Sequence, residues 1–176
     1  MKHVILYIAV SLVGYIADSQ KAVNWIKGQD DFVEMVDTYS AFFATVDTVM
    51  MGKTTYDQIV TELSPDKWPY SGVKTYVFTH KQMDDTKEIV FTSANPCQLV
   101  KEIRQEEGKD IWVCGGADVV NQLLKEDLLD VFHISIMPTI LGGGVRLFGE
   151  TGTMINLRLV NTMKYNGVVE AVYERR

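Results

Sequence analysis

Apolar residues come along this chain in short bursts, separated by residues that favour turns. His-Val-Ile-Leu-Tyr-Ile-Ala at 3–9 predicts a buried strand. Residues 10–28 carry two glycines, two serines and an asparagine, and read as a long loop. Phe32, Val33, Met35, Val36, Tyr39, Phe42 and Phe43 recur at helical spacing, which predicts a helix over 29–44. Positions 32, 35, 36, 39 and 43 would form its buried face. Thr48–Met51 predicts a strand and Thr54–Val60 a short helix. A loop with Pro65 and Pro69 follows at 61–73.

Val73–Thr79 and Glu88–Phe91 predict two further strands. Pro96 suits a first helical turn, and that helix should run to about Glu107 before Gly108 ends it. Asp110–Cys114 predicts a strand, with a helical segment at Asn121–Lys125 beyond it. Val131–Met137 predicts a strand stopped by Pro138. Leu157–Lys164 and Val168–Arg175 alternate around Asn166-Gly167, the strongest short hairpin signal. No internal repeat or low-complexity segment interrupts this order. The expected fold is α/β. A single domain over 1–176 has a central mixed, mostly parallel sheet flanked by helices, and closes on an antiparallel hairpin.

A length of 176 residues suits one domain with a sizeable core. Charge narrows the partners: 17 basic against 23 acidic residues leave a formal −6, which disfavours nucleic acid or an anionic membrane as main partner. A local basic pocket for a phosphorylated small molecule is still allowed. Cys97 and Cys114 are too few for a disulfide scaffold and read as reduced thiols. The apolar run Val4–Val13 is too short to span a bilayer, and it lacks the basic start and cleavage pattern of a signal peptide. The expected location is the cytoplasm.

Chemistry concentrates where strands end. In Ile111-Trp112-Val113-Cys114-Gly115-Gly116-Ala117-Asp118-Val119-Val120, an apolar strand meets two glycines and then a helix. Backbone amides there can approach a phosphate, and the helix N-terminus favours its charge. The same glycines also suit a tight turn with no ligand. Neither the three-glycine dinucleotide fingerprint nor the P-loop spacing is present.

Met51-Gly52-Lys53-Thr54-Thr55-Tyr56 is a second strand end, offering amides, two hydroxyls and a point charge, or simply a capped helix. Thr79-His80-Lys81 is a third. Lys53, His80 and Lys81 together could surround a ribose 2′-phosphate, or be exposed polar residues. Ser11 and Asp18 in the first loop can bond a polar heterocycle or only make turns. His3 and His133 read as structural, with no third ligand to complete a metal site. No G-x-S-x-G supports a hydrolase. The glycine-rich Leu141–Phe148 suits a crossover, a ligand contact or a second subunit.

Taken in order, these segments resemble the dihydrofolate reductase-like superfamily. The nearer branch is the one related to the C-terminal reductase domain of the bifunctional riboflavin-biosynthesis protein. The anchors are Ala9-x-Ser11-x-x-Gly14-x-Ile16-Ala17, Trp25, Gly52-Lys53-Thr54-Thr55-Tyr56, Val113-x-Gly115-Gly116 and Pro138-x-x-Leu141-Gly142-Gly143-Gly144.

The resemblance implies a dihydrofolate reductase-like fold and NADPH as hydride donor. NADPH would be held by Ala9, Ile16, Gly52, Lys53, Thr54, Thr55, Thr79, His80, Lys81, Gly115, Gly116, Ala117, Asp118 and Val119. It implies a pyrimidine or pterin-type substrate near Ser11, Asp18 and Trp25, as for 5-amino-6-(5-phosphoribosylamino)uracil reductase. Dihydrofolate reductase, or a nucleotide-binding protein without turnover, is the alternative. No metal is implied.

The substrate half departs from both relatives. Cys114 stands where riboflavin-pathway reductases usually carry a glutamate. The acid that dihydrofolate reductase places on its first helix has four candidates here: Asp30, Asp31, Glu34 and Asp37. Asp31, then Glu34, flank the expected buried face and are the first choices as proton donor. Water near Ser11 and Asp18 is the fallback. The resemblance also implies a homodimer paired through Val131–Met137 and Leu141–Phe148.

Overall fold

The computed structural model describes residues 1–176. In chain order the elements are β1 (Val4–Val10), β2 (Tyr15–Ala17), α1 (Tyr39–Phe43), β3 (Val46–Gly52) and α2 (Lys53–Gln58), which continues into a π-helical turn, Ile59–Leu63. Then come β4 (Lys74–Phe78), β5 (Ile89–Thr92), α3 (Pro96–Ile103), β6 (Asp110–Gly115), α4 (Ala117–Lys125) and β7 (Val131–Ile136). The chain closes with β8 (Val145–Arg146), β9 (Leu157–Tyr165) and β10 (Val168–Arg175).

Eight strands form one sheet in the order β5-β4-β3-β6-β1-β7-β10-β9. Strands β5 to β7 run parallel; β10 is antiparallel to β7 and β9. The strand order folds back on itself where β6 inserts between β3 and β1. In open α/β sheets ligands lodge outside the carboxyl ends of the strands at such a reversal.

Alternation along the strands splits the core in two. Leu6, Val10, Met50, Ile111 and Val113 pack with Val100 and Ile103 of α3 and with Val120, Leu123 and Leu124 of α4. Val49, Met51, Val77 and Trp112 pack with Ile59 and the aromatics of α1. The expected α/β architecture and closing hairpin are both present. Asn166 and Gly167 adopt φ of 42° and 77°, the left-handed pair that a tight hairpin turn requires.

Four expectations need correction. The helix over 29–44 is reduced to α1, and residues 28–38 run irregularly. Phe32 is 99 % exposed, and Val33, Met35 and Val36 are also exposed. The reason lies in the distant hairpin. Asn166 Oδ1 accepts from the Asp30 amide at 3.0 Å, and its Nδ2 donates to the carbonyls of Asp30 at 3.0 Å and Val33 at 3.2 Å. One side chain thus satisfies two carbonyls that a helix would have paired internally and an amide that its first turn would have left free.

The third helix ends at Ile103 rather than Glu107, because Gln105 and Glu106 bond three residues back in tight turns. The 10–28 loop contains β2, which pairs with β8. Gly144, at φ +146°, permits that pairing, since a Cβ there would overlap the Ala17 carbonyl. Finally, β7 lies inside the sheet between β1 and β10, so its edges are closed to a second subunit.

Candidate functional site

A cleft of about 1120 Å³ opens over the carboxyl ends of β1, β3, β4 and β6. Ala9, Ile16, Gly52, Lys53, Thr54, Thr55, Thr79, His80, Lys81, Gly115, Gly116, Ala117, Asp118 and Val119 all line it. The fold therefore brings the three glycine- or threonine-bearing strand ends together.

Gly116 stands at the N-cap of α4 in extended backbone, and no side chain caps that end. The first-turn amides of α4 are left for a ligand, and an anion is the partner that a helix N-terminus favours. Asp118 sits in this turn with its carboxylate accepting from Gln122 Nε2 at 3.0 Å. Gly115 has φ +130°, where an L side chain is strained. A Cβ on Gly52 would stand 3.7 Å from Val119 Cγ2 and 3.8 Å from the Gly116 nitrogen, so these strand ends approach closely. The peptide bond Gly115–Gly116 is cis.

Lys53 is only 21 % exposed and forms an ion pair with Asp57, one helical turn on. His80 and Lys81 are exposed at the end of β4. The donor set fits a dinucleotide phosphate: an uncapped helix end, two threonine hydroxyls and cations, around glycines with room for close approach.

Beside this phosphate-like half the cleft is aromatic. Tyr7, Tyr70, Trp112, Cys114, Ile59 and Leu63 wall it. Tyr70 and Trp112 meet edge to face at 5.0 Å, and Tyr7 lies 6.3 Å from Trp112. Trp112 Nε1 donates to the Tyr7 carbonyl at 3.0 Å. Tyr70 Oη lies 3.7 Å from Cys114 Sγ. Burial pushes the Cys114 thiol up to about 11 and the Tyr70 phenol well above its usual range, so both are neutral near pH 7.

Behind Tyr7 lies a polar cluster that the sequence reading did not assemble. Glu170 of β10 is 3 % exposed. Its Oε1 accepts from Thr38 Oγ1 at 2.7 Å, from Ser135 Oγ at 3.3 Å and from Tyr165 Oη; its Oε2 lies 2.9 Å from His133 Nε2. Tyr7 Oη is 3.1 Å from Thr38 Oγ1, and the Tyr7 ring stacks on His133 at 4.1 Å. Burial alone would raise the Glu170 carboxyl. The hydrogen bonds from Tyr165, Thr38 and His133 outweigh it and hold the group below its usual value. The available signal was a lone acid inside the otherwise apolar Val-Val-Glu-Ala-Val-Tyr of β10.

The residues expected to read the substrate are placed differently. Ser11 is buried, and its Oγ accepts from the Tyr15 amide at 3.1 Å, closing a turn. Asp18 Oδ1 accepts from the amides of Gln20 and Ala22 at 2.8 and 2.9 Å. Trp25 packs on Met137 and Val168 and donates to the Ala22 carbonyl. None of the three lines the cleft; their neighbours Ala17, Lys21, Val23 and Ile26 do.

Asp31 and Glu34, expected on a helix facing the substrate, are exposed on the irregular segment. Asp31 lies 3.9 Å from Lys27, and neither acid lines the cleft. Without the helix, nothing turns them inward. No group of three or more His, Cys, Asp or Glu side chains stands close enough to hold a metal ion.

The chain is 38 % identical over 173 residues to the uncharacterized protein YwjB of Bacillus subtilis (strain 168), covering 97 % of each. It is 31 % identical over 182 residues to the uncharacterized protein YyaP of the same organism, covering 98 % of this chain and 94 % of that one. Among solved structures it is similar to a protein of Shewanella sp. PV-4 provisionally assigned to riboflavin biosynthesis. There the TM-score is 0.84 at 26 % identity, over 99 % of both chains.

It shares its fold with the diaminohydroxyphosphoribosylaminopyrimidine deaminase/5-amino-6-(5-phosphoribosylamino)uracil reductase of Thermotoga maritima. That match has a TM-score of 0.70 at 16 % identity and covers 99 % of this chain and 57 % of the other. The RibD C-terminal domain model matches residues 2–169. With that span, the uncapped helix end and the glycine-edged cleft in place, the chain belongs to the RibD C-terminal domain family.

Proposed function

We propose that this protein is an NADPH-dependent reductase that delivers hydride to an electron-poor ring carbon of a pyrimidine or pterin-type substrate. The observation that carries this reading is a single cleft joining an uncapped helix N-terminus to an aromatic pocket. NADPH, when bound, supplies the hydride. The chain's part is orientation, which is the protein's main contribution when a cofactor carries the chemistry. Gly52, Thr54, Thr55 and the first turn of α4 would fix the pyrophosphate. Lys53, His80 and Lys81 would meet the ribose phosphate. Ala9 and Ile16 would flank the nicotinamide, and the aromatic wall would keep water from the reacting face.

The two carboxylates that line the cleft are already bonded, Asp57 to Lys53 and Asp118 to Gln122, so no free acid lines it. The phenols of Tyr7 and Tyr70 are the hydroxyl groups of its aromatic half. Water entering beside Lys21 and Val23, which line the cleft, would then supply the proton. The same absence favours a second reading, a nucleotide-binding protein without turnover. An NADPH-oxidation assay run side by side with dihydrofolate and with the deaminated riboflavin intermediate separates them. Oxidation with either substrate supports the reductase. NADPH binding without oxidation supports the second reading, and no NADPH binding removes both.

We also propose a cytoplasmic homodimer. Two free thiols suit a reducing compartment, and no helix of the chain is long and apolar enough to cross a membrane.

A further inference from the structure

Tyr7 belongs both to the cleft wall and to the buried cluster around Glu170. That double membership fixes the direction of its hydroxyl. Glu170 is an ionised carboxylate and can only accept. Thr38 is placed to spend its single proton on Glu170, 2.7 Å away. The Thr38 oxygen is then left as an acceptor, so the proton between Tyr7 and Thr38 comes from Tyr7. Ser135 lies 3.3 Å from Glu170 and is also in hydrogen-bond reach of the Tyr7 hydroxyl; a proton given there takes one lone pair of the Tyr7 oxygen and does not reverse its sense. With its proton committed inward, the Tyr7 oxygen has only lone pairs to give. A chain of hydrogen bonds ending on a carboxylate polarises each member and makes that oxygen a stronger acceptor.

The rest of the aromatic half is neutral: Tyr70, Trp112, Cys114, Ile59 and Leu63 carry no charge near pH 7. The Trp112 N–H is already bonded to a carbonyl. A flat ring entering there meets stacking surface and one acceptor with a fixed sense.

We propose that Tyr7 is a specificity-determining residue of this cleft, that it selects an uncharged flat ring bearing an N–H donor, and that Thr38 and Glu170 are positioning residues that fix the sense of its hydrogen bond. This rests on the reading of the cleft as a reductase site and names what the substrate half of that site recognises. The carboxylate acts two side chains away, so it sets polarity without placing a charge against the ring.

The test uses two neutral bicyclic probes, 2-aminoquinazoline and its near-isostere 2-methylquinazoline, which differ in one N–H donor group. Their affinities for the whole protein are measured by calorimetry, with and without NADPH. NADPH binding is measured separately by fluorescence. The amino compound should bind about tenfold or more tightly, because the methyl compound buries the Tyr7 acceptor unpaired. Tyr7→Phe should bring the ratio to about one.

Glu170→Gln should lower the ratio while Tyr7 is still present. An amide can donate to Thr38, and the whole chain of hydroxyls is then free to reverse. A merely structural Glu170 would not move this ratio in a protein that still folds. If Glu170→Gln does not fold, the Tyr7→Phe comparison decides. Equal affinity for the two probes in the native protein, no binding of either, or an unchanged ratio in Tyr7→Phe overturns the proposal. Absent NADPH binding overturns the reductase reading instead, whatever the probes do.

Discussion

A Cβ built on Gly116 would stand 3.4 Å from the hydroxyl oxygen of Thr55, so the N-cap of α4 and the first turn of α2 face each other across one narrow gap. The gap lies in the glycine-edged half of the cleft. Gly116 has φ −81°, which any residue adopts, so a side chain there avoids the positive-φ strain of Gly115. Gly116→Val should leave the melting temperature within a few degrees of native and abolish detectable NADPH binding by calorimetry. Gly115→Val is the informative contrast. At φ +130° it should also destabilise the fold, by roughly 1–3 kcal/mol. Native NADPH affinity in a folded Gly116→Val protein would remove this glycine pair from the cofactor site.

Lys53 is held by Asp57, so any phosphate it serves must compete with a carboxylate. A 2′-phosphate carries nearly two negative charges at neutral pH, by analogy with other phosphomonoesters. A charge-assisted contact to it is worth about 1.5–3 kcal/mol. Lys53→Ala should therefore weaken NADPH by roughly ten- to a hundredfold and leave NADH nearly unchanged. Asp57→Asn should act in the opposite direction and tighten NADPH, since it frees the ammonium and removes a nearby anion. Equal losses for both cofactors in Lys53→Ala would assign Lys53 to the shared pyrophosphate or to the fold.

What the sequence disclosed follows the physics of each signal. Strands β1, β4, β6 and β7 were legible because apolar runs bounded by turn residues have few other readings. The glycine-edged half of the cleft was legible because glycine at a strand end is a local requirement, visible within six residues at Gly52 and at Gly115-Gly116. The aromatic half was not. Phe32, Val33, Met35 and Val36 have helical spacing, yet the backbone of this segment is held at Asp30 and Val33 by Asn166, more than 130 residues away. Glu170 looked like the polar member of an alternating strand. Its partners come from 38, 133, 135 and 165, and only the register of β10 against β7, with Glu170 opposite Ser135, brings them together. Local patterns announce backbone requirements, whereas a buried polar cluster exists only in the tertiary fold.

Glu170 should shape the acid limb of stability. Its folded pKa lies below the usual 4.5 because its hydrogen bonds outweigh its burial. A depressed carboxyl contributes stability that is fully present above the unfolded value and is lost as pH falls through the folded one. Native protein should therefore lose stability increasingly as pH drops below about 4.5, in part through this group. Glu170→Gln cannot be protonated there. It should be less stable at pH 7, by about 1–3 kcal/mol, and should show a shallower decline in acid. Urea melts of both proteins from pH 3 to pH 7 give the comparison. Parallel curves would mean that other carboxylates, Asp47 among them, carry the acid limb.

The last prediction concerns the edge of the sheet. β9 is the terminal strand of the eight, nine residues long, and its outer hydrogen-bonding edge has no neighbouring strand. Leu159, Val160 and Met163 are exposed on it, with Val169 exposed on the adjacent β10. A long apolar edge strand is a template for pairing, and monomeric proteins normally blunt one with charge, proline or a covering element. Here Arg158 and Lys164 lie near its ends, and the segment 159–163 between them carries no charge. Since β7 is enclosed, a second copy of the chain has this edge as its natural seat. Light scattering at tens of micromolar should give a dimer mass for the native protein, and Val160→Lys should shift it to a monomer without lowering NADPH affinity. A native monomer at that concentration would count against the homodimer. A Val160→Lys variant that stays dimeric would move the interface to another surface, and the exposed Ile140 and Phe148 would be the next to test.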